Sequence, residues 1–294
     1  MAPVEPDIRL SEEEFRLVRE MIRDYCGLSF TADAGTVLER RLGKRMALLG
    51  IGDFRDYYRL IRYGRDRDQE LSDLIDLLTT NETYFIRELL QLRALTDEII
   101  PELLQRRVER SGEMPLRIWS AGCSTGEEPY TVAMLLLETG CCEGVPVEII
   151  GTDISHRVLQ QARRGIYRDS AFRATDGYFQ QKYFRREENG YRIIDTVRDL
   201  VTISHLNLLD ESRLALIGRV DIIFCRNVMI YFDRSVRVRV AGAFFGALRQ
   251  GGYLLLGHAD SLMNITTAFA LRHLAHDMVY QRPLTNAGDR QCVK

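Results

Sequence analysis

Cysteines in metal-binding order are missing from this chain. Its six, Cys26, Cys123, Cys141, Cys142, Cys225 and Cys292, contain no Cys-x-x-Cys pair, and the vicinal Cys141–Cys142 spacing suits zinc poorly. No structural or catalytic metal is expected. No run approaches the ~18 apolar residues of a membrane span, and no apolar stretch follows a basic start, so neither a secretory leader nor direct membrane insertion is expected. The cysteines therefore read as reduced thiols of a cytoplasmic protein. Net charge is only −2, so no overall basicity recommends nucleic acid as a partner. The five histidines, His156, His205, His258, His273 and His276, are scattered, with no catalytic pair near the predicted strand ends.

What is present is a sizeable globular composition: 294 residues, 46% hydrophobic and 28% charged. The first part is helical in pattern. Ser11 with Glu14 makes a capping-box signature, and Phe15, Val18, Met21, Ile22 and Tyr25 recur at helical spacing up to Gly27. Further helices are predicted near Val37–Leu49, Phe54–Arg62 and Gln69–Leu78. Short connections make this a small bundle, residues 1–80. Arg40, Arg41, Lys44 and Arg45 form one basic face at helical spacing, either a solvated surface or a docking patch for an acidic partner. Thr79 to Thr83 breaks the pattern with cap and turn residues. A longer helix is expected from about Arg87 to Arg110, with Pro101 as a kink or restart. Residues 81–113 thus read as a linker and connecting helix.

From residue 114 onward strands and helices alternate. Strands are expected at Leu116–Ala121, Val147–Thr152, Val201–Leu206, Val220–Cys225 and Tyr253–Gly257, which with their intervening helices imply a parallel sheet covered on both faces. A closing hairpin is expected near Phe269–Ala275 and Met278–Gln281. Asn189-Gly190, preceded by a short helix Gly177–Phe184, signals a hairpin within a small inserted subdomain at about 166–200. The last dozen residues are polar.

Chemistry concentrates at Ile118-Trp-Ser-Ala-Gly-Cys-Ser-Thr-Gly-Glu-Glu-Pro-Tyr130, a strand, a tight glycine turn and a helix start. A dinucleotide fingerprint has a third glycine where this turn has Glu127. A carboxylate there repels a pyrophosphate and attracts a cationic ligand such as S-adenosylmethionine. An NAD-dependent oxidoreductase is thereby disfavoured. In open parallel sheets ligands sit beyond the carboxyl ends of strands. Asp153, after the second strand, is placed to accept from both ribose hydroxyls, or alternatively to cap the next helix, a role Ser155 could fill. Asn207, after the third, offers a donor and an acceptor to an adenine edge, or else simply forms a turn. After the fourth come Arg226, Asn227 and Val228, then Tyr231. Core packing explains Ile230 and Phe232 but not Arg226 and Asn227.

Thr80-Asn-Glu-Thr-Tyr-Phe-Ile-Arg87, the Ser120–Tyr130 turn, Gly151-Thr-Asp153 and Cys225–Asp233 together resemble the motifs of the chemotaxis-receptor methyltransferases, the CheR family. The resemblance runs from Ser11 to Arg282. It implies a Rossmann-like class I S-adenosylmethionine-dependent α/β sheet with an N-terminal helical domain and an inserted antiparallel β subdomain. It implies methyl esterification of glutamates on the cytoplasmic helices of membrane chemoreceptors, by a monomer. Carried over by motif, Asn81, Thr83, Arg87, Glu127, Asp153, Asn207, Leu208, Asn227 and Val228 would contact the cofactor. Tyr231 would shape the reaction site, with Arg87 or another nearby arginine orienting the substrate carboxylate, and Arg40, Arg41, Lys44 and Arg45 would dock the receptor. The family often has Phe-Phe-Arg where this chain has Phe85-Ile86-Arg87, which keeps an apolar wall.

Some family members hold a receptor's C-terminal pentapeptide tether on a glycine-containing loop of the inserted subdomain. The short turn Arg185–Gly190, with one glycine, is similar to the members that do without it. Other readings of the same sequence are a methyltransferase of this fold for another protein or small carboxylic acid, and a binding module that keeps the fold without turnover.

Overall fold

The computed structural model describes residues 9–30, 34–109 and 114–284. Residues 110–113 at the expected linker boundary, the polar tail from 285 and Cys292 lie outside the described residues, as do residues 1–8.

Four helices, α1 (Glu12–Cys26), α2 (Gly35–Leu49), α3 (Phe54–Tyr63) and α4 (Arg67–Leu78), pack into one bundle. The Ser11–Glu14 capping box is formed in both directions, and Gly27 and Gly50 end α1 and α2 in the left-handed region. Val18, Ile22, Leu38, Leu42, Met46 and Tyr57 are fully buried between the helices. Tyr57 directs its hydroxyl to Glu70 at 2.7 Å. The same carboxylate takes Arg45, which also reaches Asp73 at 2.6 Å.

The connecting segment is not one helix from Arg87. Glu88 holds φ +59°, so α5 begins at Leu89 and ends at Ala94. A π turn spans Leu95–Ile99 before α6 (Ile100–Glu109). Pro101 supplies the physical reason: it has no N–H to return to Asp97, and a widened turn relieves its ring against that carbonyl.

The catalytic-type domain follows as β1 (Leu116–Ala121), α7 (Glu127–Thr139), β2 (Val147–Asp153) and α8 (His156–Arg164). Next come β3 (Ile166–Tyr167), α9 (Gly177–Tyr183), β4 (Phe184–Glu187), β5 (Gly190–Ile193) and α10 (Asp195–Arg198). The chain then runs through β6 (Val201–His205), α11 (Glu211–Ile217), β7 (Val220–Cys225), α12 (Arg234–Ala247), β8 (Leu248–Leu256), β9 (Ala270–His273) and β10 (Met278–Gln281). The main sheet has seven strands in the order β6-β2-β1-β7-β8-β10-β9. Strands β6 to β8 pair in parallel, while β10 runs antiparallel to both β8 and β9. Strands β3, β5 and β4 form a separate antiparallel sheet, the inserted subdomain.

Because the order of strand addition reverses at β1, with β2 and β6 on one side and β7 and β8 on the other, the crevice at a doubly wound sheet's switch point opens between the ends of β1 and β7. Trp119, fully buried on one sheet face, stacks edge-on to Phe244 of α12 at 5.4 Å and donates to the Thr152 hydroxyl. On the opposite face Phe85, from the connecting segment, packs among Tyr167, Phe172 and Phe184. That aromatic cluster fixes residues 84–87 against both the sheet and the inserted subdomain. The chain after α1 closes on the other side: Leu28 bridges Phe232, and Ser29 N–H donates to the Tyr231 carbonyl at 2.8 Å.

Candidate active site

A cavity of about 320 Å³ lies where the helical bundle meets the carboxyl ends of β1, β2, β6 and β7. The sheet contributes Gly122, Ser124, Asp153, Ile154, Leu206, Asn207 and Leu208, with Arg226, Asn227, Val228, Tyr231 and Phe232. The bundle and the segment after it contribute Cys26, Leu28, Phe30, Val37, Arg41, Leu78 and Asn81. Apart from Arg41 and Asn81 these N-terminal walls carry no motif, and only the packing of α1 and α2 onto the sheet brings them here.

The floor is the glycine turn. Gly122 has φ +86°, and a Cβ there would come within 2.4 Å of Val228 Cγ2. Only glycine permits both the left-handed backbone and that approach. Gly122 and Cys123 N–H groups donate to the Thr152 carbonyl, which ties the turn to the end of β2. Asp153 is then clasped: one oxygen accepts Ser124 N–H and the other Ser155 N–H, both at 2.9 Å. Ser155, not Asp153, caps α8 with its side chain. Burial raises the Asp153 pKa, while the backbone donors of Ser155 and Ser124 pull against it. Each carboxylate oxygen keeps a spare lone pair.

Asn207 lines the cavity with its amide already engaged. Its Nδ2 donates to the Tyr25 carbonyl at 2.5 Å and its Oδ1 accepts Leu209 N–H at 3.0 Å. One amide hydrogen and one oxygen lone pair are thus spent on a strut between α1 and β6, which leaves one of each for the expected adenine edge. Asn227 is held at φ +58° with its N–H on Asp260 at 2.7 Å, and its Oδ1 is buried without a partner.

Three residues expected at the cofactor do not line the cavity: Thr83, Arg87 and Glu127. The Arg87 guanidinium turns to the Glu82 carbonyl and over the Tyr84 ring. Glu127 lies beneath the turn, 3% exposed, where its carboxylate accepts the Thr125 hydroxyl at 2.6 Å. Burial there pushes its pKa up to about 7, against the lowering pull of the Thr125 hydroxyl.

The four-residue basic face also divides. Arg45 is half-buried in its pairs with Glu70 and Asp73, and Arg41 donates to the Leu78 carbonyl at 2.5 Å on the cavity wall. Arg40 and Lys44 remain on the exposed side of α2. Positions one apart on a helix differ by about 100°, so 40/44 and 41/45 are two faces.

Sequence reasoning singled out Arg226 without finding its partners. Its Nε donates to Glu128 at 2.6 Å and its Nη1 to the Arg87 carbonyl at 2.8 Å, with Glu88 at 3.6 Å. Glu128 also accepts the Ser120 hydroxyl. Adjacent carboxylates 127 and 128 were a signal for a buried cation, but their separate tasks depend on helix phase.

The matches to known proteins follow this geometry. Residues 81–278 match the CheR methyltransferase, SAM binding domain, and residues 13–79 match the CheR methyltransferase, all-alpha domain. The chain belongs to the CheR methyltransferase family. S-adenosylmethionine is the cofactor of this CheR methyltransferase. The chain is 33% identical to chemotaxis protein methyltransferase 2 of Vibrio cholerae, with 97% of this chain and 98% of that protein covered. It is 34% identical to the chemotaxis protein methyltransferase of Borreliella burgdorferi, covering 87% and 90%. With chemotaxis protein methyltransferase 2 of Pseudomonas aeruginosa it shares 34% identity over 88% and 90%. The donor set of this CheR methyltransferase suits that cofactor: a clasped carboxylate for a diol and an orphaned amide oxygen.

Proposed function

We propose that the chain esterifies glutamate side chains on the cytoplasmic helices of chemoreceptors, working as a monomer and without a receptor tether peptide. The observation that carries this reading is the cavity itself, walled on one side by cofactor-type strand ends and on the other by α2 of the helical domain. Asp153 would hold the ribose. Asn227 and Val228, with Glu127 below the turn and Asn81 opposite, would hold the amino-acid end, and the Leu206–Leu208 backbone would border the adenine. Thr83 and Arg87 would brace the connecting segment against it.

When bound, S-adenosylmethionine supplies a methyl group on a sulfonium, open to in-line displacement. The glutamate nucleophile is already ionised at neutral pH, its ordinary pKa being ~4.3, so no general base is needed. The protein's work is alignment and exclusion of water. Tyr231, 36% exposed at the cavity rim, is placed to flank the reacting carboxylate. Of the two arginines on the wall, Arg226 is matched by Glu128 and Glu88. Among the described residues Arg41 has only a carbonyl on its Nη1, which favours it over Arg87 for orienting the substrate carboxylate. Arg40 and Lys44, on the outer face of α2, would meet acidic residues of the receptor.

The turn between β4 and β5 is two residues, Glu188 and Asn189, and supports independence from a tether. Incubation of labelled cofactor with receptor cytoplasmic fragments tests the whole reading: base-labile methyl esters on glutamates are expected. Label in amide or base-stable linkage would overturn the ester. Micromolar binding of a receptor C-terminal pentapeptide by calorimetry would overturn the tether-free part alone.

A further inference from the structure

Behind the cavity wall formed by Asp153 and Ile154 stand two stacked imidazoles. His156, at the start of α8, and His205, at the end of β6, lie 3.9 Å apart between ring centroids and 5° from parallel. The His205 Nε2 is 3.0 Å from the Ile154 carbonyl. A carbonyl can only accept, so Nε2 carries the hydrogen. The His205 Nδ1 is 3.3 Å from Arg213 Nη1. A guanidinium can only donate, so Nδ1 is the bare lone pair. These two contacts define one species, the neutral Nε2–H tautomer. Strand pairing reinforces the tether: Asp153 is opposite His205 in register, and Leu206 N–H donates to the Asp153 carbonyl at 2.9 Å.

We propose that neutral His205 is a positioning residue for cofactor binding, holding the Asp153–Ser155 loop through Ile154, and that its stack on His156 makes that binding sensitive to mild acid. The proposal rests on the cavity being the cofactor site. A proton on Nδ1 would face the Arg213 guanidinium at once and lie in a stack with a second titratable ring. The groups around the pair are Arg213 and its partner Asp210 from α11, and Asp76 from α4. Asp76 takes Arg157 N–H on Oδ2 at 3.2 Å, while its Oδ1 is buried without a partner. Burial is the largest influence on His205, followed by His156, and with Arg213 they outweigh the Ile154 carbonyl and Asp76 and hold its pKa below the ordinary 6.5. The sign follows. A base with a lowered pKa favours the organised loop above pH 6.5, and that contribution is lost as pH falls through the lowered value.

Four results test it. Nitrogen-15 imidazole spectra at pH 7.5 should show His205 as the Nε2–H tautomer. Calorimetric affinity for S-adenosylmethionine between pH 5 and 7.5 should fall in the wild type by up to about tenfold per pH unit below the His205 pKa, the limit for one coupled proton. His205→Gln retains a donor toward the Ile154 carbonyl and cannot titrate, so it should bind within about threefold of wild type at pH 7.5 and lose that limb. His156→Ala, on the exposed ring, removes the like-charged neighbour and should move the limb to higher pH. Glu127 and Asp153 titrate in every variant, so the difference between curves isolates His205. An Nδ1–H tautomer, or a His205→Gln curve that parallels wild type at all pH, would overturn the proposal. Unaltered binding by Asp153→Ala would instead overturn the placement of the cofactor, a separate failure.

Discussion

Arg226 Nε and Glu128 Oε2 meet at 2.6 Å, joining the residue after β7 to the first turn of α7 across 98 positions of sequence. Both side chains are about nine-tenths buried or more, 3% and 10% exposed. The pair also grips the Arg87 carbonyl, so one guanidinium holds the glycine turn, the β7 end and the connecting segment together. Arg226 and Asn227 thus stand at a junction of three elements that share the cavity.

Removal of one partner should therefore be costly. Glu128→Gln leaves a buried guanidinium with the Arg87 carbonyl and Glu88 at 3.6 Å as its remaining partners among the described residues. A loss of about 3–5 kcal/mol is expected in urea unfolding, with Glu128→Leu/Arg226→Met losing less than Glu128→Gln.

Asp153→Ala removes the clasped carboxylate and should weaken S-adenosylmethionine binding by about 1.5–3 kcal/mol, the scale of a hydrogen bond to a charged group. Isothermal calorimetry at pH 7.5 reads this directly. Ser155→Ala, which breaks the α8 cap instead, should lower the melting temperature and change affinity far less.

Glu127 has a pKa raised to about 7 by burial. Its contribution to the stability of the cofactor-free protein is fully present below the ordinary value of 4.5 and is lost as pH rises through about 7. Glu127→Gln should flatten the melting temperature over that window. If the cofactor's ammonium group pairs with Glu127, binding at pH 6.5 releases a proton, seen as a buffer-dependent enthalpy absent in Glu127→Gln.

Gly122→Ala forces a side chain into φ +86° and against Val228. Destabilisation above about 1 kcal/mol is expected. Gly122→Ala/Val228→Ala should recover the steric part and keep the backbone part, a split that thermal unfolding of both variants can measure.

The arginines of α2 should separate by face. Arg45→Ala loses Glu70 and Asp73 and should destabilise the protein. Arg41→Ala should raise the KM for receptor with the cofactor Kd within about twofold, whereas a matching drop in cofactor affinity would place Arg41 on the cofactor instead.

Local signals explain which features were legible. The capping box at Ser11, the stops at Gly27 and Gly50, and the hairpin at Asn189-Gly190 each depend on a few adjacent residues, and each stands as read. The connecting helix differed because a π turn arises from crowding around Pro101 and from Glu88 in the left-handed region, neither of which periodicity reports. Asn207 also braces the Tyr25 carbonyl, 182 positions away. No spacing rule reaches that far.

Sequence by itself determined the order of elements, the family, the cofactor and the short list of strand-end residues, since these follow from periodicity and from chemistry carried on contiguous motifs. Tertiary structure alone decided which of those residues face the cavity. It turned Glu127 under its helix, committed Asn207 to a strut, and split four arginines and lysines into two faces. It also set His156 on His205 and Arg226 on Glu128. The reason is geometric: a side chain's partner depends on helix phase and on elements far away in the chain, and burial then sets the charge it can hold.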